Sequence, residues 1–276
     1  MNRIGVIQGR LSPRPFPKLQ EFPRATWRQE FDRAADLGFD YLEWIFEIDG
    51  YEENPIWSDE GRILIKEAVS ETGIPVASVC ADYFLERPFY RCSGYTFEDN
   101  VEKLIKLIVY TAEIGASAIL LPVLEGAEIR TEQEGKSLVR AVRACIPVLE
   151  HFDVTLGFET ELDAPDYLKL CEVFGTPCVG AYYDAGNCAA CGHDMAHDMR
   201  LLAPHVKHVH VKDRLVNGPS VRLGSGGANF TEGVPFLLET GFQGNFTLQT
   251  YFEDDHIGDA YKALGYMRAI VGRRSE

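Results

Sequence analysis

Long apolar runs are missing from this chain. The longest are strand-sized, well short of the roughly 20 residues that span a bilayer, so no membrane segment is expected. Met1-Asn2-Arg3 leads straight into a short strand with no leader-type apolar stretch. Basic runs are missing too: none exceeds Arg273-Arg274, and the formal net charge is -15. A nucleic-acid partner demands a cationic face, so none is expected. An acidic surface still permits a small anion, because a few placed cations can hold one phosphate. The seven cysteines form an odd set scattered through apparent helices and strands, which points to reduced thiols and a cytoplasmic protein. Absent as well is a Gly-x-Gly-x-x-Gly turn after the first strand. The chain there reads Gln8-Gly9-Arg10-Leu11-Ser12-Pro13, which argues against a dinucleotide-binding open sheet.

What is present is alternation. With 276 residues, 46% of them hydrophobic, the chain can fill one large core. Short aliphatic runs at Ile4–Gln8, Tyr41–Phe46, Val76–Cys80, Ala118–Pro122, Val154–Glu159, Val179–Asp184, Val206–Val211 and Phe246–Thr250 read as strands. Amphipathic segments separate them: Trp27–Leu37, Gly61–Glu71, Phe97–Ile114, Glu132–Glu150, Asp166–Phe174 and Thr231–Glu239, with Asp259–Val271 after the last strand. Val101, Leu104, Ile105, Ile108 and Ala112 show the three-and-four spacing of a buried helix face. Gly38, Gly73, Gly115 and Gly241 stand where helices should stop. Eight strand–helix units predict a single (β/α)8 barrel over residues 1–276. Its active site belongs at the end where the strands finish.

The segment His208-Val209-His210-Val211-Lys212-Asp213 puts two imidazoles and an ammonium on one strand face and valines on the other. Three more strands end in one polar group each: Glu159, Asp184 and Gln249. Glu159, Asp184, His210 and Gln249 together offer three oxygens and one nitrogen to a single divalent ion, Mn²⁺, Mg²⁺, Co²⁺, Fe²⁺ or Zn²⁺. An ion there would polarise a carbonyl and make the neighbouring C–H acidic enough for a carboxylate to remove its proton through an enediolate. Glu159 is expected as ligand and base, and Lys212 as its catalytic companion, holding a phosphate, an oxyanion or a carboxylate of the site.

Other constellations compete. Cys188-Ala-Ala-Cys191-Gly-His193 with His197 is a zinc set by composition, though crowded. Arg222-Leu223-Gly224-Ser225-Gly226-Gly227-Ala228-Asn229 is either a phosphate cradle helped by Arg214 and Arg222 or a turn that shapes the loop. Arg10 is a further anion candidate, and Asp82 and Tyr83 end the third strand. Trp57, Tyr83, Phe84, Phe89, Tyr90 and Tyr95 on long loops either wall a substrate or pack the rim. Glu125, Glu128 and Glu253-Asp254-Asp255 read as solvated acidic loops.

Gly157-Phe158-Glu159, Tyr183-Asp184-Ala185-Gly186-Asn187, His208 to Asp213 and Leu223-Gly224-Ser225-Gly226 resemble the xylose-isomerase-like barrels. The likeness is to the sugar phosphate isomerase/epimerase branch related to the endonuclease IV superfamily. Ile4 to Ser12 and Gly38 to Glu43 are similar to its first two units. The resemblance implies that Glu159, Asp184 and His210 are metal ligands, with Gln249 where the family commonly has a glutamate. That glutamate often serves as the second acid/base, and Gln249 cannot exchange a proton at neutral pH. Asn187 stands where the family often has a substrate-contacting histidine. Asn187, His193, Arg214, Arg222 and Glu43 are the candidate substrate contacts, and Glu43, Glu47, Glu161 and His193 the spare proton-transfer groups. The expected activity is isomerisation or epimerisation of a small-molecule keto-sugar or sugar phosphate. The rivals are dehydration of a keto-polyol, as in inosose dehydratases, a non-catalytic sugar-binding barrel, and a DNA phosphodiesterase that needs more strand-end histidines than this chain has. A homodimer is compatible with the family.

Overall fold

Parallel strands buried on both faces must be nearly continuous apolar runs, and the eight apolar runs of this chain pair in that way. The protein, a computed structural model describing residues 2–13, 20–251 and 255–272, opens with β1 (Ile4–Ile7), α1 (Gln29–Leu37), β2 (Leu42–Ile45), α2 (Asp59–Thr72) and β3 (Val76–Cys80). Next come α3 (Tyr83–Glu86), α4 (Phe97–Glu113), β4 (Ala118–Val123), α5 (Glu132–Phe152), β5 (Thr155–Thr160) and α6 (Ala164–Glu172). Then follow β6 (Val179–Asp184), α7 (Ala185–Ala190), α8 (Met195–Leu202), β7 (Val206–Val211) and the short β8 (Asp213–Arg214) and β9 (Ser220–Val221). α9 (Phe230–Glu239), β10 (Asn245–Leu248) and α10 (His256–Val271) complete the chain. The order β1-β10-β7-β6-β5-β4-β3-β2 closes on itself, with Ile4 opposite Phe246 and Val6 opposite Leu42 at the seam. The architecture is a single (β/α)8 barrel.

Helix boundaries follow local chemistry. Gly38 ends α1 at φ 81°, where its N–H bonds the carbonyls of Ala34 and Ala35, a left-handed cap that costs a side-chain-bearing residue more. α6 starts two residues before its apolar pattern does. Asp163 accepts from the Asp166 N–H at 2.9 Å, and Pro165 fits the first turn. Between β6 and β7 stand two short helices, α7 and α8, in place of one amphipathic helix. After β7, β8 and β9 form an antiparallel ribbon that sequence periodicity does not reveal, because two-residue strands carry no period.

The barrel interior is unusually polar. Tyr41, Glu43, Ser78, Tyr182, His208, His210 and Thr247 are all buried inside it. Tyr41 and Thr247 share a hydroxyl hydrogen bond of 2.8 Å. The loop aromatics pack on one another at the rim: Phe46 stacks on Trp57 and Tyr83 with ring centroids 5.1 and 5.5 Å apart. Phe84 stacks on Phe89. No helix among the described residues is long and apolar enough to cross a membrane.

Candidate metal centre at the barrel mouth

Strand alternation places His208 and His210 inward and Val209 and Val211 outward, and the outward pair is fully buried under helices. At the C-terminal end of the strands lies a cavity of about 480 Å³. Glu159, Asn187, Lys212 and Gln249 line it, together with Arg10, Gln20, Glu47 and Asp82. Glu159, Asp184 and His210 converge beneath: each offers a ligand-type atom, all within 4.8 Å of one another. His210 Nδ1 stands 3.9 Å from Glu159 Oε1 and 3.8 Å from Asp184 Oδ2. It is buried without a hydrogen-bond partner among the described residues.

The other face of the His210 ring explains why Nδ1 is left bare. Nε2 lies 2.5 Å from Glu43 Oε1, and the Glu43 carboxylate also accepts from Ser78 Oγ at 2.5 Å and from the Tyr182 hydroxyl. Glu43 is fully buried in the barrel and does not line the cavity; its contact is with the imidazole. That is the second carboxylate that metal-bound histidines recruit to fix tautomer and ring orientation. A divalent cation therefore fits: two carboxylates and one imidazole nitrogen aimed at the same point.

The charges divide unequally. Burial, reinforced by the Asp184 charge, pushes Glu159 up to about 7. Burial also acts on Asp184, but the Lys212 ammonium at 2.9 Å and His210 hold its carboxyl well below the usual range. Burial opposes the imidazolium of His210, yet Glu43, Asp184 and Glu159 raise it well above the ordinary value. At His208 burial outweighs the Glu43 charge and takes the imidazole down to about 4. Proton competition gives a testable pH dependence. A cation must displace the Glu159 proton below about pH 7 and the Nδ1 proton of His210 over a wider range. Divalent-metal affinity should thus rise roughly tenfold or more per pH unit up to neutrality. Calorimetry in buffers of different ionisation enthalpy reads this as proton release, and a flat profile counts against the ligand set.

Gln249 reaches the group through Lys212, whose Nζ donates to Gln249 Oε1 at 2.9 Å. Gln249 Nε2 donates to Gln20 Oε1 at 2.6 Å, and Gln20 Nε2 to Asp82 Oδ2 at 2.6 Å. Sequence reasoning missed Gln20, which lies in a loop without periodicity. Asn187 Nδ2 donates to Glu159 Oε1 at 3.0 Å, and its backbone N–H caps Asp184 Oδ1 at 2.7 Å. Arg214 donates to Asn187 Oδ1 at 3.1 Å without lining the cavity.

Two candidate contacts lie elsewhere. The Arg222 side chain is 56% exposed and 3.9 Å from Asp259 of α10, outside the cavity lining. His193 lies with Cys188 and Asp198 on the α7–α8 side, also outside the lining. The glycine-rich loop is a shaped turn. Asp213 accepts the N–H groups of Gly224, Gly226 and Ala228 at 2.9, 2.8 and 3.0 Å, while Gly227 N–H goes to Arg214 O. A Cβ at Gly226 would collide with Asp213 Oδ1. The donors a phosphate would need are thus engaged by a carboxylate. Glu253 and Asp254 lie outside the described residues.

A closed eight-stranded α/β barrel with an acidic and histidine cluster at its mouth defines the class. Residues 31–270 match the xylose isomerase-like TIM barrel family, and the chain belongs to it. It is 24% identical over 258 residues to L-ribulose-5-phosphate 3-epimerase UlaE of Salmonella typhi, covering 90% of each chain. In fold it is similar to 3-keto-D-glucoside 4-epimerase YcjR of E. coli, with TM-score 0.74, 16% identity and coverage of 98% and 100%. A xylose isomerase-like TIM barrel protein from Mycobacterium smegmatis in complex with magnesium superposes with TM-score 0.73, 15% identity and coverage of 98% and 96%.

Proposed function

We propose that this protein is a divalent-metal-dependent epimerase or isomerase of a keto-sugar or keto-sugar phosphate. The observation that carries the reading is the bare, buried Nδ1 of His210 facing Glu159 and Asp184, in a chain related to sugar epimerases. Glu159, Asp184 and His210 would hold the ion, with Gln249 as a neutral fourth ligand. A cation bound there supplies charge stabilisation to the substrate's carbonyl and hydroxyl oxygens.

Glu159 is the base. Its carboxyl, pushed up to about 7, is matched to taking and returning a carbon-bound proton near neutral pH. Asn187 fixes one of its oxygens, so the carboxylate cannot swing away. Lys212 keeps Asp184 ionised and anchors Gln249. Arg10 and Lys212, which line the cavity, would hold substrate oxyanions. Because Gln249 cannot exchange a proton, isomerisation by Glu159 alone is the simplest outcome. Epimerisation needs a second group, and Asp82 is a candidate: it lines the cavity, as Glu47 does, and burial raises its carboxyl.

The test is NMR in deuterated water on the metal-loaded protein with a panel of ketoses and ketose phosphates. Deuterium should enter beside the carbonyl without loss of water. A deoxy product would assign dehydration instead, and failure to exchange with every member would refute the proposal. Gln249→Glu adds a second negative oxygen donor next to Lys212. It should tighten Mn²⁺ or Mg²⁺ binding at least about tenfold, a change of about 1.4 kcal/mol. Isothermal titration of the variant against wild type measures it, and unchanged affinity would remove residue 249 from the ligand set.

A further inference from the structure

On the side of β6 away from the cavity a second set of ligand-type side chains meets. Cys188 of α7, His193 of the α7–α8 connection and Asp198 of α8 offer a thiol, an imidazole nitrogen and a carboxylate oxygen, all within 4.8 Å of one another. Cys188 and Asp198 are 1% and 4% exposed. His193 Nδ1 is buried and has no hydrogen-bond partner among the described residues. The Tyr183 hydroxyl donates to Asp198 Oδ2 at 2.7 Å, which orients the carboxylate from outside the group. We propose that Cys188, His193 and Asp198 form a zinc site separate from the cation site at the barrel mouth.

The chemistry favours zinc over the ions suited to the mouth. A thiolate with an imidazole and a carboxylate is a borderline-soft donor set, whereas Glu159, Asp184 and His210 supply no sulfur. Charge also balances: one thiolate and one carboxylate neutralise Zn²⁺, as a buried site requires. Burial raises the Cys188 thiol well above its ordinary value, helped by the charges of Asp198 and Asp184. Binding therefore forms the Zn–S bond while the thiol proton leaves to solvent, with no change of oxidation state. The set differs from the one that spacing suggests, because Cys191 and His197 are exposed and do not join it.

The site has a structural consequence. α7 is only six residues long, too short to hold itself together. It begins at the Asp184 cap and carries Asn187. A zinc ion tying α7 to α8 would brace the segment that aims Asp184 and Asn187 at the mouth.

Cobalt reads the two sites separately, because only a cysteine ligand gives a thiolate-to-cobalt charge-transfer band in the near ultraviolet. Metal-free full-length protein titrated with Co²⁺ should develop that band. Glu159→Gln should keep it, Cys191→Ser should keep it, and Cys188→Ser should lose it. His193→Ala, at a partly exposed position, should weaken Co²⁺ and Zn²⁺ binding by at least roughly tenfold, the scale on which even outer-shell partners count. Absence of the band in wild type at full cobalt loading would overturn the site, as would its survival in Cys188→Ser. These outcomes do not depend on substrate or turnover, so failure of the sugar reading leaves them unaffected.

Discussion

Glu159→Gln is expected to lower kcat by roughly 10²–10⁴-fold, the share that a positioned general base contributes, with the fold intact. The substitution keeps the shape of the side chain. Its amide oxygen can still accept from Asn187 Nδ2, which lies 3.0 Å from Glu159 Oε1. Removing the carboxylate also removes a charge that the protein holds at a cost. Burial and Asp184 raise Glu159 to about 7 from 4.5, so the folded state carries its proton more tightly than the unfolded chain does. Between those values each added pH unit weakens the metal-free protein by up to about 1.4 kcal/mol. That loss should disappear in the glutamine variant. The metal-free variant should therefore melt no lower than wild type at pH 7.5, and its melting temperature should fall less between pH 5 and pH 7.5. Its metal affinity should drop, so turnover is compared at saturating metal. A variant that retains turnover within tenfold of wild type when fully loaded would remove Glu159 as the base.

The barrel and much of its mouth were legible in the sequence because both follow from short periods. Val209 and Val211 against His208 and His210 is a period of two, and it alone orients β7. The eight apolar runs, their helices and the left-handed glycines at helix ends are likewise local signals. Glu159, Asp184 and His210 were legible as a group because each stands at or one residue before the end of a strand, and strand ends share one face of a barrel. What stayed hidden depends on contacts distant in sequence. Glu43 meets His210 across 167 residues, and nothing near Glu43 distinguishes a charge that reaches solvent from one that holds an imidazole. Asp213 captures a loop of three N–H groups that reads, in one dimension, as an anion cradle. Cys188 and Asp198 are ten positions apart on separate short helices, so the spacing pointed to Cys191 and His197 instead. The role of the aromatic loops stayed open in the sequence because an aromatic ring packs a rim as readily as it walls a substrate.

Glu43→Gln should act in the opposite direction to Glu159→Gln on stability, although both remove one buried carboxylate. Glu43 is held below the ordinary value of 4.5: burial opposes its charge, but His210, Ser78 and Tyr182 all favour it. His210 is raised well above its own ordinary value, chiefly by Glu43 once burial is set against it. The stabilisation from Glu43 is thus present above the unfolded carboxylate value and lost on acidification. That from His210 is present below its unfolded value and lost as pH rises through its elevated one. The pair contributes most between these limits, across the mildly acidic to neutral range. Breaking a buried pair by neutralising one member costs about 3–5 kcal/mol. Here an amide also turns a donor towards Ser78, Tyr182 or His210 Nε2, none of which can leave for solvent. Denaturant unfolding at pH 6.5 should show that loss. A difference below about 1 kcal/mol would mean that the imidazole is held by its strand and not by the carboxylate. The same variant removes the carboxylate that would keep the remaining ring proton on Nε2 once a cation has displaced the one on Nδ1, so divalent-metal affinity should fall roughly 10–100-fold although Glu43 touches no cation. A variant that unfolds more easily yet binds metal as tightly as wild type would separate the two roles and leave Glu43 only a structural one.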